Sequence, residues 1–161
     1  MEKLKPLEEL VEIVKDLKAR GKKIVFTNGC FDLLHRGHTR YLAQAKMLGD
    51  VLIVGLNDDT SVTTLKGEGR PILSAEERAE VLAALTAVDY IILFEELTPE
   101  RVIAALEPDV LVKGGDWEPE QIVGKELVEA KGGQTVVLPF VKGSSTSEII
   151  QKILKHHSPK V

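Results

Sequence analysis

Apolar positions recur at two spacings along the chain, and the alternation between those spacings predicts the architecture. Leu7, Leu10, Val11, Val14 and Leu17 fall at helical spacing among Glu, Lys and Asp, and Gly21 closes the run, so residues 1–20 hold an amphipathic helix. KKIVFTNG follows as a short β-branched and aromatic run ending at Gly29, the pattern of a buried strand. HTRYLAQAKMLGD then sets Tyr41, Leu42, Ala45 and Leu48 on one helix face before Gly49, and DVLIVGLN supplies a second apolar strand.

The alternation continues to the C-terminus. SAEE has the spacing of a capping box and opens a helix from about Ser74 to Ala87. YIILF (90–94) is a strand, Thr98 is expected to cap a helix with Pro99 at its first position, and VLVKGG (110–115) is a strand again. A helix around Pro119 to Ala130, a strand TVVLPF (135–140) and a last helix from about Thr146 complete the pattern. Strands apolar on both faces need cover on both sides. The expected fold is therefore α/β, a Rossmann-like, doubly wound, five-stranded parallel sheet with helices on both faces. No repeat or linker divides residues 1–161, so one domain is expected, with the N-terminal helix packed on it. Ligands bind such sheets beyond the carboxyl ends of the strands, where strand order reverses. That rule nominates residues 28–38, 57–70, 113–117 and 141–147.

Composition narrows the classes. A chain of 161 residues with 43% hydrophobic and 29% charged residues has the balance of a single soluble globular domain. Its net charge of −4, with no long basic block, lacks the footprint of a nucleic-acid binder. A single cysteine, Cys30, excludes an internal disulfide and a multi-cysteine metal site and agrees with a reducing cytosol. MEKLKPLEEL has no continuous apolar core, and the longest later apolar stretch is broken by Asp89 well short of the ~18 residues a membrane span needs. A cytoplasmic protein without membrane or nucleic-acid partners is expected. Leu7, Leu10, Val14 and Leu17 read first as core, although their 3-4-3 spacing also fits a dimer seam.

The first strand runs directly into NGCFDLLHRGH. Gly29 allows a tight turn and close approach, and the amides around 29–32 can point at a phosphate. A helix beginning near Gly37 adds free N–H groups and a positive dipole end. His35 and His38, three apart, lie on one side of that turn and can reach one anion. From the residues alone the pair remains open between phosphate donors, capping histidines and metal ligands, and zinc lacks enough nearby ligands. Cys30 has no evident base and reads as a small loop residue. In NDD, Asp58 fits a helix cap. KGEGRP combines Lys66 and Arg70 with two glycines in what reads as a mobile loop able to close over phosphate. Arg78 divides evenly between a solvated helix residue and a functional one. VKGGDW brings Lys113, Gly115, Asp116 and Trp117 to a strand's carboxyl end, where a tryptophan beside a turn is commonly core. GSSTSEII is helix-cap chemistry, and the same geometry binds phosphate.

GCFDLLHRGH resembles the Gly-x-Phe-Asp-x-x-His-x-Gly-His signature of the nucleotidylyltransferase superfamily. GLNDDTSVTTLKGEGRPI, ERAEVLAAL, AVDYIILFEELTPERVIAALEPDVLVKGGDW and GSSTSEII together look like the heptose 1-phosphate adenylyltransferases of the ADP-heptose pathway, over roughly Gly21 to Leu154. The resemblance implies transfer of AMP from ATP to D-glycero-β-D-manno-heptose 1-phosphate, with Mg²⁺, giving ADP-heptose and pyrophosphate for lipopolysaccharide-type heptose synthesis. It implies His35, His38 and Arg70 as catalytic residues. It places Asn28, Gly29, Cys30, Phe31, Asp32 and Gly37 in the nucleotide loop and Asp58 and Lys66 near the nucleotide. Lys113, Gly115, Asp116 and Trp117 then meet the nucleotide or sugar phosphate, and Ser145, Thr146 and Ser147 the β/γ-phosphates. Many such relatives carry Tyr in place of Trp117, and superfamily members often carry Thr at the position of Cys30. Because this domain is often fused behind a sugar kinase, a separate kinase is expected to make the acceptor, and a homodimer is expected.

A sugar phosphate is already anionic, so its oxygen can attack the α-phosphorus without a general base. The site must then supply positive charge and positioning. That reading makes the histidines donors to the triphosphate. The alternatives are a cytidylyltransferase acting on glycerol 3-phosphate or another small phosphorylated acceptor, and a non-catalytic nucleotide-binding module.

Overall fold

In the computed structural model, which describes residues 1–115 and 117–159, all five predicted strands form one parallel sheet. They are β1 (Ile24–Gly29), β2 (Val51–Asn57), β3 (Tyr90–Phe94), β4 (Val110–Gly114) and β5 (Gln134–Leu138), in the order β3-β2-β1-β4-β5. In register, Phe26 lies between Ile53 and Leu111, and Thr27 between Val54 and Val112.

Period-two alternation divides the core between the two faces. Ile24, Phe26 and Ile53 pack with α1 (Leu7–Ala19), α5 (Glu100–Leu106) and α6 (Lys125–Ala130). Val25, Leu52 and Val54 pack with α2 (Arg36–Lys46) and α4 (Ala75–Ala83). The doubly wound expectation therefore holds. On α1, Leu10 is 0% and Val14 2% exposed, and burial of such side chains stabilises by roughly 1.5–3 kcal/mol each. The N-terminal stripe thus belongs to the core and is not free to be a dimer seam.

Several local expectations are corrected. Between β2 and α4 the expected element order names no helix, and residues there form α3 (Asp59–Lys66), with Asp58 as the cap its sequence allowed. The helix expected over Pro119 to Ala130 is a single 3-10 turn, Pro119–Gln121, and then α6, because Gly124 between them has φ 93. Thr98 caps nothing: the N-cap of α5 is Pro99, without a side-chain bond. Helix α4 ends at Ala83 and β5 at Leu138, each shorter than its apolar run. Residues before α1 add a feature with no sequence signal. Leu4 bridges Ile91 in parallel, through Ile91 N to Lys3 O (2.8 Å) and Lys5 N to Ile91 O (3.0 Å), and covers part of the β3 edge. No described helix is long and apolar enough to cross a membrane.

Candidate functional site

The chain passes from β1 to α2 through a strained turn. Gly29 is required for contact rather than for turning, since a Cβ there would lie 2.9 Å from the Phe31 ring. Positive φ falls instead on Phe31 (48°) and Leu33 (46°), conformations that cost about 1–3 kcal/mol each. Buried polar contacts hold this turn. Thr146 Oγ1 donates to Asp32 O at 2.6 Å, and Arg78 Nη1 donates to Cys30 O at 2.6 Å. The Asp32 carboxylate accepts from Arg70 Nε (2.9 Å), Ile72 N (2.7 Å) and Leu73 N (3.1 Å). Burial pushes that carboxyl up, but these amides and the guanidinium outweigh it and hold it below its ordinary range.

His35 is the N-cap of α2 and His38 its third residue. His35 Nδ1 accepts from Gly37 N at 3.1 Å, and His38 Nδ1 accepts from His35 N at 3.3 Å, a capping box built from imidazoles. A ring nitrogen that accepts cannot carry the hydrogen of a neutral imidazole, so this hydrogen-bond pattern assigns both hydrogens to Nε2. Burial, with His35 beside it, pushes His38 down to about 4. Burial also lowers His35, against the pull of the Glu148 carboxylate. The rings lie 4.0 Å apart, centroid to centroid, and present two Nε2–H donors side by side.

Two helix N-termini meet at this point. Helix α7 (Thr146–His157) starts at Ser145, whose hydroxyl accepts from Glu148 N. A Cβ on Gly37 of α2 would lie 3.1 Å from Ser144 Cβ, and Arg36 Nε donates to Ser144 Oγ at 3.2 Å. Each N-terminus carries about half a positive charge, so anions are favoured between them.

The resulting cavity, about 590 Å³, is the size of a small-molecule site and opens at the carboxyl ends of β1 and β4, where strand order reverses. All four nominated segments line it. It gathers Asn28 to Asp32, His35, Gly37 and His38, then Lys66 and Arg70, Lys113 and Trp117, and Ser145 to Ser147. Two expected residues stand apart. Asp58 caps α3 by accepting from Ser61 N at 2.8 Å and does not line the cavity. Gly115, at φ 105, makes room for Phe140, whose ring would lie 2.5 Å from a Cβ there. Asp116 lies outside the described residues.

Other side chains hold positions the sequence did not show. Lys66 ends α3 rather than riding on a loop. Arg70 is not loose either: Asp32 holds its Nε, and Thr63 Oγ1 donates to its carbonyl at 2.7 Å. Arg78 is no solvated helix residue, being 1% exposed. Burial raises the Cys30 thiol, which agrees with a loop role and not with a nucleophile. Burial lowers Lys113, the nearby Lys66 charge adding to the fall, and its Nζ sits 5.2 Å from the Trp117 ring centroid. Trp117 is 42% exposed and so is not a core tryptophan. Tyr41, Phe140 and Glu148 line the cavity without having been expected to, and Ser144 joins them from within the nominated segment 141–147. Tyr41 had a signal, lying three residues after His38 on the same helix. Its hydroxyl bonds Thr27 Oγ1 at 2.6 Å, and burial pushes it up to about 12. Among the described residues, no group of three or more His, Cys, Asp or Glu is placed to hold a metal ion.

Comparison with known proteins gives a consistent picture. Residues 26–152 match the cytidylyltransferase-like family model. The chain is 58% identical over 153 residues to the bifunctional protein HldE of Geobacter metallireducens, covering 95% of this chain and 31% of that protein. It is 54% identical over 156 residues to that of Pelobacter propionicus, covering 97% and 32%. It thus spans about a third of the length of these curated relatives. Among solved structures, a lipopolysaccharide core biosynthesis protein from Thermoplasma volcanium superposes with TM-score 0.64 at 25% identity, over 77% of this chain and 100% of that one. Pantoate-beta-alanine ligase from Francisella tularensis shares the fold, with TM-score 0.58 at 17% identity, over 94% and 77%.

Proposed function

Because the chain belongs to the cytidylyltransferase-like family, we propose that it transfers AMP from ATP to D-glycero-β-D-manno-heptose 1-phosphate, giving ADP-heptose and pyrophosphate. One observation carries the reaction class: two Nε2–H donors set side by side at the meeting of two helix N-termini. The acceptor rests on the similarity to the HldE proteins and on the motifs shared with heptose 1-phosphate adenylyltransferases.

In this reading an oxygen of the sugar phosphate attacks the α-phosphorus of ATP. The new P–O bond forms as the bond to the bridging α–β oxygen breaks, and pyrophosphate leaves with that electron pair. The acceptor is already anionic, so no base is needed. Nε2–H of His35 and of His38 donate to the triphosphate, and their neutrality in the ligand-free site means that phosphate charge, once bound, draws protons toward them. Arg70, held through Nε by Asp32, turns its Nη groups toward phosphate, and Lys66 and Lys113 add charge. Asn28 to Phe31, Gly37 and the Ser145 to Ser147 amides line the nucleotide path. The cavity carboxylate of Asp32 is engaged by three donors, and among the described residues no carboxylate cage is offered. Mg²⁺, which keeps its waters and is held largely by substrate phosphates, fits as the companion of ATP and supplies charge neutralisation there. A phosphorylating activity must make the acceptor, and we assign it to a protein or segment other than these residues. A homodimer would use a face other than the buried stripe of α1.

A pyrophosphate-release panel crossing ATP and CTP with heptose 1-phosphate and glycerol 3-phosphate tests the reading. Activity confined to CTP with glycerol 3-phosphate would replace it with the cytidylyltransferase alternative. ATP binding with no turnover for any acceptor, unchanged by His38→Ala, would indicate a binding module. His38→Ala is expected to lower turnover far more than ATP affinity, because its donor faces charge that grows on the leaving group.

A further inference from the structure

Arg78 on α4 is a buried cation that does not line the candidate cavity, yet each of its three nitrogens donates a hydrogen bond. It is 1% exposed, and its Nε donates to Leu73 O (3.0 Å), Nη1 to Cys30 O (2.6 Å) and Asn57 O (2.9 Å), and Nη2 to Asp59 Oδ1 (2.8 Å). The Asp59 side chain is 51% exposed, so the charge is answered mainly by three carbonyl dipoles. A hydrophobic side chain of similar volume often serves stability as well as a buried ion pair, and the choice of a guanidinium here asks what its geometry does.

The three carbonyls mark three pieces of the site. Cys30 O precedes the turn whose Phe31 and Leu33 have positive φ, and Asn57 O ends β2. Leu73 O belongs to the segment whose Ile72 and Leu73 amides hold Asp32, and Asp32 in turn holds Arg70. Strained backbone persists where its surroundings over-determine it. Arg78 fixes the turn from the β2 side, while Thr146 fixes it at Asp32 O from the α7 side.

We propose that Arg78 is a positioning residue for nucleotidyl transfer, holding the turn at 30–33 and the segment at 70–73 in one frame so that the histidine pair and Arg70 face the same phosphates. The inference rests on the function proposed above. The planar fork suits three carbonyls in fixed directions, and an ammonium cannot span them.

The test measures pyrophosphate release, ATP KM and melting temperature for the wild type, R78K, D59N and R78K with Leu33→Asn, using whichever substrate pair the wild type turns over. Asn tolerates positive φ better than Leu, so the double variant eases the strain that Arg78 opposes. Misplacement by about 1 Å costs on the order of 100-fold in rate. The expected result is a kcat for R78K lowered about 100-fold with ATP KM within threefold, recovery of at least fivefold in the double variant, and near-normal kcat for D59N, which keeps all three carbonyl contacts. Wild-type kcat in folded R78K, at whatever melting temperature, would make Arg78 purely structural and overturn the proposal. So would failure of both R78K and the double variant to fold at 15 °C. Absence of wild-type turnover with every pair would sink the function reading itself, a result distinct from an unaffected R78K.

Discussion

Gly37→Ala separates the catalytic role proposed for the α2 N-terminus from its structural one, because the two effects on stability cancel. A Cβ at residue 37 would stand 2.8 Å from His35 Cε1 and 2.9 Å from His35 Nδ1, closer than such contacts allow, and 3.1 Å from Ser144 Cβ. The His35 ring must swing away and give up the bond that Gly37 N donates to its Nδ1. Loss of a capping side-chain bond costs about 1 kcal/mol, and Ala for Gly inside a helix returns about 1 kcal/mol. The melting temperature should therefore stay within about 3 °C of wild type. Catalysis has no such compensation. Removing one preorganised donor from developing charge costs roughly 10²–10³ in turnover, and the displaced ring takes its Nε2–H with it. We expect kcat lowered about 100-fold and ATP KM changed far less, read by pyrophosphate release beside a thermal melt. Turnover within threefold of wild type would refute the claim that His35 acts through its capped orientation. A melting temperature lowered by ten degrees or more would show that the ring does not move and that the helices part instead.

Further expectations concern the same frame. His38 and His35 both titrate below the ordinary histidine range in the folded state, His38 at about 4, while the unfolded chain takes up their protons near 6.5. In that window the unfolded state binds more protons, so stability of the ligand-free protein is full above about 6.5 and falls as pH drops toward 4. Denaturant melts across this range check it, and a flat profile would contradict the neutral capping box. Thr146→Val keeps shape but leaves Asp32 O without its donor, which should cost about 1–3 kcal/mol in urea unfolding, whereas Thr146→Ser should retain most of it. Gly115→Ala meets both φ 105 and the Phe140 ring, and a lowered melting temperature is expected; unchanged stability would mean Phe140 moves freely.

The fold was legible because its signals are local and repeated. Each of the five strands is an apolar run, and Leu7, Leu10, Val14 and Leu17 needed only their spacing to be read as a core stripe. The errors arose where one residue overrode a pattern, as Gly124 does between Pro119 and Ala130. The histidine pair was legible for the same reason. Its capping box lies within four consecutive residues, so HRGH contains the whole geometry.

What the sequence did not reveal is which polar groups remain free. Asp32, Thr146 and Arg78 are polar side chains like His35, Lys66, Lys113 and Arg70, and spacing treats the two sets alike. Partners far along the chain separate them. Arg78 reaches Cys30 O across 48 positions, Asp32 reaches Ile72 N across 40, and Thr146 reaches Asp32 O across 114. A buried polar group must be satisfied, so each of these long-range bonds removes a side chain from the set available to phosphate. It also rigidifies the groups that are left. Arg70 illustrates the consequence: read as a cation on a mobile loop, it is instead a guanidinium aimed by a buried carboxylate. In the proposed reaction its contribution to charge stabilisation would be set before substrate arrives, and preorganisation of that kind would let a few hydrogen-bond donors support phosphoryl-type transfer without a base.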